Sequence, residues 1–135
     1  MFKFGLVSFL LSSISDCGKN PLLKIVSQSF TPDSPTAGDN VSWVIQYQVP
    51  DGMVLNNITS INSGLINGFL PIDTTTTYLC PEIGCPVSSG LYTLTNSVTW
   101  PDGVSGSKVA LTSEWVNENG DELLCSKVSV VGSKR

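Results

Sequence analysis

An antiparallel β-sandwich is the fold class predicted by this sequence of 135 residues, and three observations predict it. Apolar residues recur with the two-residue period of a strand, turn-forming clusters interrupt them about every ten residues, and four cysteines bracket the pattern. Val41, Trp43, Ile45, Tyr47 and Val49 alternate with Ser42, Gln46 and Gln48, and only Val44 breaks the polar face. Such alternation marks a strand with one buried face. Pro50-Asp51-Gly52 closes it, because proline presets the first corner of a turn and glycine accepts positive φ. Tyr92, Leu94, Val98 and Trp100 repeat the pattern up to Pro101-Asp102-Gly103, and Val109, Leu111 and Trp115 repeat it before the turn-rich stretch from Asn117 to Gly120. Leu22 to Phe30, Met53 to Ile61, Gly68 to Leu79 and Leu123 to Val131 complete a set of about seven strands. No stretch is long and periodic enough for a helix. Thr31 to Asp39 reads as a loop, because too little chain precedes it to fold alone.

Cys17 and Cys125 lie near the two ends, while Cys80 and Cys85 sit close together between them. An even count in a short chain with an apolar leader reads as a disulfide framework formed in an oxidising compartment. Four cysteines allow three connectivities; the spacing favours Cys17–Cys125 with Cys80–Cys85, a bridge from first strand to last and a pinned loop. With no histidine and no Cys-x-x-Cys pair, a zinc site is not expected, and no other metal or cofactor is called for. The leader is Met1-Phe2-Lys3 followed by the apolar run Phe4 to Leu11, with small residues at Ser13 and Ser15. Residues 1–15 therefore read as a signal peptide cleaved before Asp16, and residues 16–135 as one domain. The apolar run is too short for a permanent membrane span. Entry into the secretory route would make Asn40-Val41-Ser42 and Asn57-Ile58-Thr59 usable as N-glycosylation sites.

Losing Lys3 with the leader leaves six basic against eleven acidic residues, a net charge of −5. No basic patch remains to neutralise phosphates, so nucleic acid is not an expected partner. Catalysis has little footing either. Without histidine there is no Ser-His or Cys-His pair, and the cysteines are committed to disulfides. Glu114 and Glu118 are the nearest approach to paired carboxylates, but Glu114 alternates away from the Val109–Trp115 face and Glu118 falls in a turn. Both are expected to be solvated, and the chain is not expected to be an enzyme.

Asp16-Cys17-Gly18, Cys85-Pro86-Val87 followed by Gly90-Leu91-Tyr92, and Glu114-Trp115 ten residues before Cys125 resemble the ML-domain lipid-recognition family. That family includes the lysosomal Niemann–Pick cholesterol-transfer protein and fungal phosphatidylglycerol/phosphatidylinositol transfer proteins. The resemblance spans Asp16 to Val131, and its short motifs gain specificity from their order and spacing. It implies an immunoglobulin-like sandwich with splayed sheets, an apolar pocket between them, and bridges joining Cys17 to Cys125 and Cys80 to Cys85. Many members carry a further cysteine pair near the first turn; this chain has Thr31 to Asp39 there and none. The resemblance also turns what composition would treat as ordinary core into candidate lipid-binding residues: Ile45, Tyr47, Val98, Trp100, Leu111 and Trp115, with Trp43 closing the far end. The stretch from Ile61 to Ile72, interrupted by Gly64, Asn67 and Gly68, is awkward as a regular buried strand. It reads either as a plain strand connection or as a flap beside an opening, with Ile66, Phe69 and Leu70 on the lipid route.

Two functions of different class follow. One is a soluble, monomeric carrier, secreted or in the endolysosomal lumen, that takes a sterol or phospholipid from one membrane to another through transient membrane contact. The other is a recognition module that reports to a protein receptor. A closed-core immunoglobulin-like structural domain is the third and weaker reading.

Overall fold

The computed structural model describes residues 12–102 and 106–131. Eight strands follow in order: β1 (Ser12–Asp16), β2 (Lys24–Thr31), β3 (Asn40–Val49), β4 (Thr59–Ile66), β5 (Leu70–Tyr78), β6 (Gly90–Thr99), β7 (Lys108–Val116) and β8 (Glu122–Val131). One short helix among the described residues, α1 (Cys80–Ile83), lies between β5 and β6. The strands form a five-stranded sheet in the order β1-β8-β7-β4-β5 and a three-stranded sheet in the order β2-β3-β6. Every pairing is antiparallel. No helix among the described residues is long and apolar enough to cross a membrane.

Register carries the sequence periodicity into the core. On β3, Val41, Trp43, Ile45, Tyr47 and Val49 are all buried. Trp43 stands opposite Phe30 on one side and Asn96 on the other, and Ile45 opposite Leu94, so the apolar sets of neighbouring strands share one inward face. In the facing sheet Val109 lies opposite Val130, Leu111 opposite Val128 and Trp115 opposite Leu124. The aromatic residues hold the interior in two groups. Phe30 meets Trp43 and Trp100 edge-on at 6.0 and 6.4 Å between ring centroids. Tyr47 stacks on Tyr92 at 5.8 Å and meets Trp115 edge-on at 5.0 Å. Such pairs contribute about 0.5–1.5 kcal/mol beyond their buried area.

Three features depart from the sequence expectation. An eighth strand, β1, is formed by Ser12–Asp16 and pairs with β8. Residues 12–15 were assigned above to the leader; the rest of that leader, residues 1–11, lies outside the described residues. The expected strand from Met53 begins only at Thr59. Before it, Asn56-Asn57 breaks the alternation, leaving Leu55 and Ile58 both buried at a spacing a strand cannot satisfy. Leu55 instead exchanges two backbone hydrogen bonds with Val87, each 2.8 Å. Finally, α1 is a helix of only four residues, too short for a 3.6-residue pattern to show, and it starts with proline in its first turn.

The disulfides join Cys17 to Cys125 and Cys80 to Cys85, with Cα–Cα separations of 4.9 and 5.0 Å. The first lashes the end of β1 to β8, where Cys17 N also donates to Cys125 O at 3.0 Å. The second closes the α1 loop. They span 108 and 5 residues, so in the chain-entropy view they restrict the unfolded chain very unequally. Replacing Cys17 and Cys125 together by alanine should cost about 4–5 kcal/mol and replacing Cys80 and Cys85 about 2 kcal/mol. Chemical denaturation of the two double variants measures this; a larger loss from the inner pair would contradict the role of the outer bridge.

Candidate functional site

The two sheets differ in width, and they are not evenly spaced. They approach most closely where β2 lies over β1 and β8. On the opposite side the terminal strands are β5 in one sheet and β6 in the other, neither paired further. Between these edges lies a cleft of about 370 Å³. The three-stranded sheet contributes Trp43 from β3 and Asn96, Ser97 and Val98 from β6. The five-stranded sheet contributes Asn62 and Ser63 from β4, Ile72, Asp73, Thr75 and Thr77 from β5, and Leu111 and Thr112 from β7.

Two local devices shape this wall. Asn62 pairs with Thr75 and Gly64 with Ile72, so Asp73 and Thr74 both stand opposite Ser63. That extra residue is a β-bulge, which re-aims side chains and brings Asp73 onto the rim. Gly64 is the second device. A Cβ added there would lie 2.9 Å from Ile72 Cδ1, 3.0 Å from Leu111 Cδ2 and 3.1 Å from Ala110 O. Only glycine lets Ile72 and Leu111 close together over β4 as the apolar floor.

Small polar residues open the volume. Thr75, Asn62, Ser113 and Ser126 lie side by side across β5, β4, β7 and β8, on the same inward-facing row. Ser60 Oγ donates to Asn62 Oδ1 at 3.1 Å, and the Ser60 and Ser113 hydroxyls are 3.0 Å apart. Trp43 Nε1 donates to Ser126 Oγ at 3.2 Å across the sheets, and Ser126 Oγ donates to Gln28 Oε1 on β2. Ser60, Ser113 and Ser126 are buried and satisfied. Where a typical sandwich would place leucine or phenylalanine in this row, hydroxyls and amides leave space.

The expected site residues divide. Val98 and Leu111 line the cleft. Ile45, Tyr47, Trp100 and Trp115 are buried in the core and are not on its wall. Ile66 ends β4, half-buried against the core, while Phe69 and Leu70, 77% and 53% exposed, form the tip of the β4–β5 hairpin. Trp43, expected only to close the far end, lies on the wall. Sequence reasoning missed Asn62, Thr75 and Asn96, and it put Ile72 at the end of the stretch beside an opening without assigning it to the wall. The break at Asn62-Ser63-Gly64 in an apolar run was the available signal. The cleft has an apolar floor, hydroxyl and amide walls, and Asp73 as its one charged lining residue. No group of metal-ligating side chains occurs among the described residues.

A family model described as ML domain matches residues 12–131. Among solved structures, a Niemann-Pick type C2 protein from Japanese carpenter ant is 12% identical with a TM-score of 0.72, covering 90% of this chain and 99% of that one. Chicken MD-1, crystallised with lipid IVa, is 15% identical with a TM-score of 0.55, covering 89% of this chain and 97% of that one. The C-terminal domain of wzt is 11% identical with a TM-score of 0.62, covering 92% of this chain and 79% of that one. At these identities the likeness is one of fold. No curated protein matches the chain in sequence.

Outside the cleft, one carboxyl departs from expectation. Glu114 lies on the outer face of β7 but is half-buried and not freely solvated. Burial raises its pKa, a hydrogen bond and charge repulsion from Glu122 raise it further, and Lys19 opposes them. Glu122 is fixed there because its Oε1 accepts from Lys19 N at 2.8 Å and Asn20 N at 3.3 Å. The raised value means the folded chain keeps this proton where the unfolded chain has released it. The resulting stabilisation is complete below the ordinary carboxylate range and is lost as pH rises through the raised folded value. Glu114→Gln should therefore raise the melting temperature at neutral pH by a few degrees and shrink its increase on mild acidification. Thermal melts of both proteins from neutral to mildly acidic pH test this; parallel curves would contradict it.

Proposed function

The chain belongs to the ML-domain family, and from that premise we propose that it is a lipid-binding carrier that holds a sterol or phospholipid in the cleft between its sheets. The observation that carries this reading is the cleft itself: an opening between two unpaired sheet edges, floored by Ile72, Leu111 and Val98. Apolar surface of a ligand buried there is stabilised by about 2.5 kcal/mol per 100 Å², enough for affinity without covalent chemistry. The ligand named for the chicken MD-1 crystal, lipid IVa, is consistent with a lipid in this fold. Binding and transport are thus the activity proposed, not catalysis.

The rest of the reading follows from the same surface. The β4–β5 hairpin turns at Asn67 and Gly68, both with positive φ, and exposes Phe69 and Leu70 at its tip, two residues along β5 from the cleft residue Ile72. Such an apolar tip suits brief contact with a bilayer during loading and release. The two disulfides and the apolar leader fit a secretory route ending outside the cell or in the endolysosomal lumen. Asn40 is exposed and Asn57 half-exposed, so both sequons can meet the glycosylation machinery. The carrier is proposed to act as a monomer, because a partner seated on the β5–β6 side would cover the cleft.

Filling the cleft tests the reading. Val98→Trp or Leu111→Trp places a large side chain in space the ligand would use. Lipid binding should fall at least about tenfold while stability changes by less than the 1–3 kcal/mol or so typical of overpacking a closed core. Binding titration and melting of the same preparations are compared. Loss of stability with binding retained would place the lipid elsewhere.

A further inference from the structure

Resting on the reading of the cleft as a lipid site, we propose that it selects lipids whose polar group is uncharged and rich in hydroxyl or carbonyl oxygen, and discriminates against anionic phospholipids. Asn62 on β4 and Asn96 on β6 supply the polar contacts, and Asp73 at the rim supplies the discrimination.

The two asparagines face the cleft from opposite sheets, and both are half-buried. Asn62 Oδ1 is occupied by the Ser60 hydroxyl, which orients the amide and leaves its NH₂ group to donate. That NH₂ group and the whole Asn96 amide make no hydrogen bond among the described residues. Partly desolvated amides with unspent donors are matched by acceptor oxygens of a hydroxyl, ester or amide entering with the ligand. They can also donate to a phosphate oxygen, but two neutral amides bring no counter-charge to replace the hydration that a phosphate loses on entering.

Among the described residues no cation lines the cleft. Lys127, opposite Thr112, is exposed and lies in a neighbouring depression that shares Ser63, Ile72 and Thr112 with the cleft. Lys108 stands beside the β4–β5 turn, where its backbone pairs with Asn67; neither lysine is on the cleft wall. Lys19 and Lys24 belong to the far end of the sandwich, where β2 begins beside Gln48. What the cleft does present is Asp73, brought to the rim by the β5 bulge. An anionic headgroup would be partly desolvated beside a carboxylate and would gain no counter-charge, an arrangement that costs free energy. Asp73 is solvent-exposed and its field is screened over a Debye length of about 8 Å, so the charge alone should act several-fold and not by orders of magnitude. The neutral amide lining adds to it.

Binding of four probes by the full-length folded protein tests the proposal: dehydroergosterol and ceramide as uncharged ligands, phosphatidylglycerol and phosphatidylinositol as anionic ones. Each is offered from vesicles of otherwise identical neutral composition, with melting temperature measured for every variant. Wild-type protein should bind at least one uncharged probe about tenfold or more tightly than either anionic one. Asp73→Lys, at an exposed position, should strengthen phosphatidylglycerol binding several-fold. Asn62→Leu combined with Asn96→Leu should weaken the uncharged hydroxyl probes about tenfold while affecting phosphatidylglycerol less. Anionic probes binding as tightly as uncharged ones, or unmoved by Asp73→Lys, would overturn the selectivity and leave the carrier reading standing. Uptake of none of the four would overturn both.

Discussion

The buried hydrogen-bond chain from Trp43 through Ser126 to Gln28 fixes where the two sheets touch. Trp43 and Gln28 belong to the three-stranded sheet and Ser126 to β8 of the five-stranded one, so the chain crosses the interior and returns. Each such bond contributes only about 0.5–1.5 kcal/mol net, but a buried indole N–H or amide left unpaired would cost about 1–3 kcal/mol. The sheets are thereby held together on the β1–β2–β8 side, which the Cys17–Cys125 bridge also secures. With that side fixed, three strands cannot cover five, and β5 is left without an opposing strand. The cleft is the consequence of a pinned edge and a mismatch in width.

Energetics decide what kind of cleft this can be. A sealed dry cavity of about 370 Å³ would cost roughly 9 kcal/mol on the scale of core truncations. That approaches the whole stability of a small domain. The opening between β5 and β6 admits water, and the amides and hydroxyls of the wall give that water partners, so the empty state remains tolerable. A ligand that replaces water over Ile72, Leu111 and Val98 then gains hydrophobic free energy without any rearrangement of the pinned side. Folding and binding draw on different halves of the same interior: Tyr47, Trp115 and Trp100 for the first, the β5–β6 edge for the second.

The strands β3, β6 and β7 were legible because each turns one face inward and alternates, and β8, buried on both faces from Leu123 to Ser126, was legible as a short apolar run. Three other features were not. Ser12 to Asp16 has too few apolar residues to announce a strand and abuts an apolar run that reads as a leader, yet it pairs along β8 in full register. Met53 to Ile58 looked extended because it is apolar, but Asn56-Asn57 makes it a buried connection. The cleft itself was legible only as an apolar interior, which located Val98 and Leu111 and drew in core residues such as Ile45 and Trp115. Asn62, Thr75 and Asn96 were invisible because polar residues on a strand are taken to point outward. The bulge opposite Ser63 shifts the in–out alternation along β5, and no periodicity argument survives a shifted register.

The central claim is that the space between β5 and β6 is a lipid site, and native mass spectrometry of protein secreted from a eukaryotic host tests it most directly. The expected result is a folded monomer with both disulfides intact carrying one small apolar molecule, which is released on denaturation and absent from the Leu111→Trp variant. A protein of bare polypeptide mass that takes up no lipid from added vesicles would contradict it.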